Sequence, residues 1–206
     1  MKHLLELAKR NQDRAWEVIR QTDIINIWKS VGAEINLVGS LNMGLLMKHK
    51  DIDFHIYTSP FRISDSFLAM ARLAENPLIK RIEYGNSLDT EEQCVEWHAW
   101  FQDPDNELWQ IDMIHIVKGS RYDGYFEKMA ERITAVLTRQ AILKLKYETP
   151  DTAKIMGVEY YQAVIQDGVR TYAELEDWKK QHPVFRTGPQ SPRSSVPHPL
   201  HLPHCL

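Results

Sequence analysis

Apolar residues recur along this chain with two different periods, and the switch between them outlines the fold. From residue 2 to 20, Leu4, Leu5, Leu7, Ala8, Ala15, Trp16 and Ile19 return at helical spacing with Lys and Arg between them, which predicts an amphipathic helix. A second helix carries Ile24, Ile25, Ile27, Trp28 and Val31, with Thr22 or Asp23 as its N-cap and Gly32 as its stop. The period then falls to two. Glu34 to Val38 reads as a strand, Ser40 to Met47 as a short helix, and Asp51 to Tyr57 as a second strand ended by Pro60. A helix over Ile63 to Ala74 and a strand over Leu78 to Tyr84 follow. Cys94 to Phe101 alternates Val95, Trp97 and Ala99 against Glu96, His98 and Trp100. The turn Asp103-Pro-Asp-Asn106 then returns the chain antiparallel over Leu108 to Val117. From Tyr122 to Glu148 the pattern is helical again, with Phe126, Met129, Ile133, Val136, Leu137, Ile142 and Leu145 inside it. Two more helices are expected near Lys154 to Gln166 and Tyr172 to Gln181. The plan is α+β: a mixed sheet of four or five strands flanked by helices, then a helical C-terminal part and a tail.

The tail, 183–206, holds six of the ten prolines and no apolar periodicity, the composition of a disordered segment. His198, His201, His204 and Cys205 fall in it and read as incidental rather than as a metal site. With 206 residues and 43% hydrophobic content, the chain can bury a core without staples. The formal net charge of −3 gives no global electrostatic case for nucleic-acid binding. Two cysteines far apart, no signal-like apolar run at the N-terminus and no membrane-spanning stretch point to a cytoplasmic protein.

Candidate chemistry gathers at three acids. Asp51 and Asp53 are two apart on one strand, so both carboxylates face one side while Ile52, Phe54 and Ile56 face the core. Like charges that close repel unless a cation lies between them. Asp112 lies between Ile111 and Met113 on a later strand, and a carboxylate among apolar neighbours is expensive to bury without a purpose. Should the two strands be neighbours, three carboxylates form an oxygen-rich site suited to a hard cation such as Mg²⁺. Upstream, Gly39 allows close backbone approach to a ligand, and the Ser40 hydroxyl with nearby free N–H groups can hold phosphate oxygens.

In this order — apolar run, Gly39-Ser40, helix, Asp51-Ile-Asp53, then Asp112 — residues 30 to 117 resemble the nucleotidyltransferase superfamily typified by DNA polymerase beta and the antibiotic nucleotidyltransferases. Gly44 also occupies a position where many members carry glycine. The resemblance implies a catalytic core over 1–120, a helical region over 121–182 and the tail over 183–206. It implies that Asp51, Asp53 and Asp112 bind Mg²⁺, with Mn²⁺ as an alternative. Asp112 would also help activate the acceptor hydroxyl as general base. Gly39 and Ser40 would hold the triphosphate of an NTP such as ATP. The implied reaction is transfer of a nucleoside monophosphate to an acceptor with release of pyrophosphate.

The acceptor is not legible; scattered Lys and Arg rather than a basic surface lean toward a small molecule or a protein over RNA. A glycosyltransferase using Asp-x-Asp would need a larger nucleotide-binding region upstream than the roughly fifty residues before Asp51. A non-catalytic nucleotide-binding or partner-binding module that keeps the fold is the other alternative. The helix from Tyr122 can pack within one chain or across a homodimer. Around the site, Lys48, His49 and Lys50 read as a solvated turn with the charge to steer a triphosphate, and His55 and His115 as hydrogen-bonded strand histidines. Lys144 and Lys146 lie where some superfamily members place a phosphate-contacting base, and Trp97, Trp100 and Trp109 include candidates for stacking a nucleobase.

Overall fold

A computed structural model describes residues 2–125, 127–128 and 136–182. The expected tail, and Phe126, Met129 and Ile133 of the expected long helix, lie outside the described residues. The elements are α1 (Lys2–Thr22), α2 (Ile24–Lys29), β1 (Glu34–Val38), α3 (Gly39–Asn42), β2 (Asp51–Tyr57), α4 (Ile63–Leu73), β3 (Ile79–Asn86), β4 (Cys94–Gln102), β5 (Leu108–Ile116), α5 (Val136–Glu148), α6 (Gly157–Gln166) and α7 (Tyr172–Gln181). The architecture is α+β, as the periodicity implies.

Five strands form one mixed sheet in the order β1-β2-β5-β4-β3. Only β2 and β5 run parallel; the other pairs are antiparallel. The β4–β5 hairpin closes where the Asp103 carboxylate accepts the backbone N–H groups of Asp105 and Glu107, both at 2.9 Å. Arg14 of α1 reaches the same turn and pairs with Asp103 at 2.5 Å and Asp105 at 2.6 Å.

The apolar face of the sheet is the main core. Ile52, Phe54, Ile56, Ile111 and Met113 are at most 1% exposed, packed with Trp28, Met70 and Leu73 of the covering helices. A second core joins Leu4 and Ala8 of α1 to Leu45, Met47 and the inner faces of α5, α6 and α7. The long α1 thus spans both clusters: its Ala15, Val18 and Ile19 belong to the sheet core. A 21-residue amphipathic helix is long enough, at 1.5 Å per residue, to tie two cores together.

Three expectations are corrected or refined. The helix after β1 ends at Asn42 rather than at Met47, because Gly44 sits at φ +68° and turns the chain. Of the two N-cap candidates for α2, Asp23 takes the position, but in the left-handed conformation and without a side-chain capping bond, while Thr22 bonds back to the Val18 carbonyl. Residues 121–124 form turns, so the helical stretch does not begin at Tyr122. Among the described residues no helix is long and apolar enough to cross a membrane.

Candidate active site

The parallel pairing of β2 with β5 sets Asp53 directly opposite Asp112, with Asp51 opposite Gln110. In-register residues of neighbouring strands share a face. The three acids therefore share the face opposite the apolar core. Ile52 and Phe54, in the same strand, are buried on the other side. Asp53 also pairs in register with Val38, which brings it under the β1–α3 corner. There Gly39, at φ +66°, has no room for a side chain: a Cβ at that position would fall on the Asp53 carboxylate. The glycine is required twice, by its left-handed backbone and by the acid beside it.

Burial first, then the charges of Asp51 and Asp112, hold the Asp53 carboxyl well above the usual carboxylate range, while Lys146 pulls it back. That is the electrostatic signature of acids crowded where a cation would relieve them. The donor set is all oxygen and fits a hard divalent ion. The ligand oxygens themselves are not drawn into one tight cluster. Asp112 leans toward β4, where its Oδ1 accepts from His98 Nδ1 at 2.6 Å and from Gln110 Nε2 at 2.8 Å. His98 lies opposite Asp112 in the β4–β5 register, and its other nitrogen is 3.8 Å from Glu96. Bonds to Asp112 and then Glu96 push the His98 pKa up to about 9.

Ser40 begins the second half of the site. Its hydroxyl is buried and lies 3.0 Å from the Tyr161 hydroxyl of α6. Lys146 of α5 donates to Ser40 Oγ at 2.6 Å, and to the Leu45 carbonyl and Tyr161 Oη at 3.3 and 3.4 Å. A hydroxyl pair and an ammonium thus stand beside the acids, with the chemistry to hold a polyphosphate. The sequence named Lys144 and Lys146 together, and the helix phase separates them: Lys144 pairs with Glu148 at 3.6 Å, on the surface. Tyr161, His98 and Gln110 were not singled out by any motif. Tyr161 is far from Ser40 in the chain, and His98 and Gln110 read as ordinary polar positions of alternating strands.

The remaining candidates are placed as follows. Lys48 bonds the Thr149 carbonyl at 2.5 Å and Asp151 at 2.9 Å, and Lys50 pairs with Glu107 at 2.5 Å. His55 Nδ1 lies 3.1 Å from both Glu127 oxygens. His115 is buried on the core side against Thr58 and Phe61, and its burial lowers the pKa to about 4. Trp97 and Trp109 are core residues, whereas Trp100 is on the acid face. Among the described residues, a tight group of potential ligand atoms occurs at Glu92, Cys94 and Glu96 and includes none of the three aspartates. Its thiol is pushed up to about 12, by burial first, and is poorly suited to coordinate as thiolate. A cleft of about 770 Å³ lined by Trp16, Asn36, Leu41, Gly44 and Arg139 opens beside α3, and none of the three aspartates lines it.

No family model matches the sequence, and no curated protein matches it. Solved structures do match. The Cid1 poly(U) polymerase with MgGTP bound aligns at a TM-score of 0.56 and 12% identity, over 79% of this chain and 54% of that one. The same polymerase with Mg 3′-dATP bound aligns at 0.52 and 13%, over 79% and 54%. A further Cid1 structure, described by its RNA terminal uridylyl transferase activity, gives 0.55 and 12%, over 79% and 54%. The likeness is one of fold. This chain shares the fold of these polymerases and spans about half their length.

Proposed function

We propose that this chain is a divalent-metal-dependent nucleotidyltransferase that moves a nucleoside monophosphate from an NTP to an acceptor hydroxyl. The reading is carried by one arrangement: Asp53, in register with Asp112 and pressed against Gly39, beside the Ser40–Lys146–Tyr161 cluster. Asp51, Asp53 and Asp112 would hold Mg²⁺, which when bound supplies charge neutralisation at the phosphates and a lowered pKa at the acceptor hydroxyl. Ser40, Lys146 and Tyr161 orient the triphosphate. Asp112 takes the acceptor proton as the acceptor oxygen attacks the α-phosphorus. The bond to the β-phosphate breaks, and pyrophosphate leaves.

The lean of the sequence toward a non-RNA acceptor draws no support from the fold neighbours, which are named as poly(U) polymerases. Asp112, tied to His98 and Gln110, favours a second reading: a module that binds nucleotide without turnover. Calorimetric titration of the four NTPs, with and without Mg²⁺, tests the nucleotide site on the native chain and on the Asp51→Asn/Asp53→Asn double variant. Metal-dependent binding lost in the variant is the expected result, and no binding by the native chain would overturn it. Pyrophosphate release with an added acceptor separates the enzyme from the binding module.

A further inference from the structure

One tryptophan of the sheet is placed where core packing does not need it. Trp97 and Trp109 are at most 4% exposed, but Trp100 lies on the acid face and is only partly covered. Strand register puts it in a straight row across the sheet: Asp51 opposite Gln110, Gln110 opposite Trp100, Trp100 opposite Arg81. With strands about 4.8 Å apart, the Trp100 backbone stands about 10 Å from that of Asp51 along this row. The Arg81 guanidinium stacks on the ring with 4.5 Å to its centroid, and the His98 ring lies 6.4 Å away on the side toward Asp112. Arg81 is 57% exposed on the edge strand β3 and is paired with Glu83.

We propose that Trp100 and Arg81 form a stacking shelf for the terminal base of a single-stranded polynucleotide acceptor, with the open sheet face as its track. This rests on the nucleotidyltransferase reading and names the acceptor class for it. Whatever receives the nucleotide must bring a hydroxyl to the acids, and the shelf is the far end of the row that begins at Asp51. Small-molecule sites are concave. This row is an open sheet surface with a planar aromatic and a cation at its far end, the combination that holds an unstacked base and its phosphate. Arg81 has five N–H donors, so a phosphate shares the fork with Glu83. Asp51, Asp53, Asp112, Glu83 and Glu96 outnumber Arg81 and His98 on this face, so a polyanion settles there only when a divalent cation offsets the acids.

The test is fluorescence anisotropy with 5′-labelled, ten-nucleotide oligo(U) and oligo(A), with and without Ca²⁺ or Mg²⁺. It uses the native chain and the Trp100→Ala, Trp100→Phe and Arg81→Ala variants. NTP binding is measured in parallel by calorimetry. The expected result is cation-dependent oligonucleotide binding, weakened about tenfold by Trp100→Ala and retained by Trp100→Phe, with NTP affinity unchanged. Arg81→Ala, on an exposed edge position, is expected to weaken binding and flatten its salt dependence. Oligonucleotide binding that is absent, or indifferent to all three substitutions, while NTP binding is intact overturns the shelf alone. Loss of NTP binding by the native chain overturns the reading beneath it. If Trp100→Ala fails to fold, the Arg81→Ala and Trp100→Phe arms still decide.

Discussion

The two faces of β2 and β5 are built from the same roughly 20 Å of paired strand and obey opposite rules. On one side Ile52, Phe54, Ile111 and Met113 are closed off from water and hold the sheet to its helices. On the other, Asp51, Asp53 and Asp112 crowd like charges together, and the fold accommodates them at a cost. One face is optimised for stability and the other carries strain that a bound ligand would relieve. Substitutions on the two faces should therefore have opposite effects on the fold.

The largest expected effect is on the apolar face. Phe54→Ala should cost about 3–5 kcal/mol in urea-induced unfolding, since it empties a fully buried site between strand and helix. Across the strand, Asp53→Asn should lower metal-dependent nucleotide transfer at least about 100-fold, yet stabilise the metal-free fold by on the order of 1 kcal/mol. A destabilised Asp53→Asn protein would erase the contrast between the faces. Next, Lys146→Met should weaken NTP binding by about tenfold, or ~1.4 kcal/mol, in calorimetry. Lys144→Met, at the surface, should change nothing measurable.

The smallest effect is in pH. His98 is raised to about 9, so the stability its charged form gives is complete below about 6.5, the ordinary histidine value, and is lost as pH rises through about 9. Asp53 acts with the same sign. Its raised carboxyl binds a proton more tightly in the folded state, so stability falls as pH climbs above its ordinary value of 3.8. The stability of the metal-free protein, followed by thermal unfolding, should thus decline from pH 6.5 to 9 by about 1 kcal/mol, and Asp112→Asn should flatten that slope. A flat profile in the native chain would mean that the His98–Asp112 bond contributes nothing to folding.

Much of the sheet was legible from alternation. The bounds expected for β1 and β2 match those observed, because apolar positions two apart leave little choice of face or length. Where chain sterics rather than pattern decided, the reading failed. Gly44 ends the helix early, although the residues around it look helical. The aspartates were visible because their spacing on strands is local. Lys146 was visible only as one of two lysines, and the turn of α5 chose between them. Tyr161 and His98 had no local signal, since nothing near either residue in the chain marks it as facing an acid or a serine.

The sequence by itself determined which faces are apolar, that Asp51 and Asp53 share the face opposite the apolar one, and that Gly39-Ser40 leads into a turn of helix. These are consequences of backbone period and sterics within a few residues. Only the tertiary structure decided that β2 pairs with β5, and in the register that sets Asp53 opposite Asp112. It also carried Lys146 and Tyr161 back to Ser40 across 106 and 121 residues of chain. Such meetings are chosen by which apolar surfaces bury one another, a property of the whole chain that no short stretch encodes.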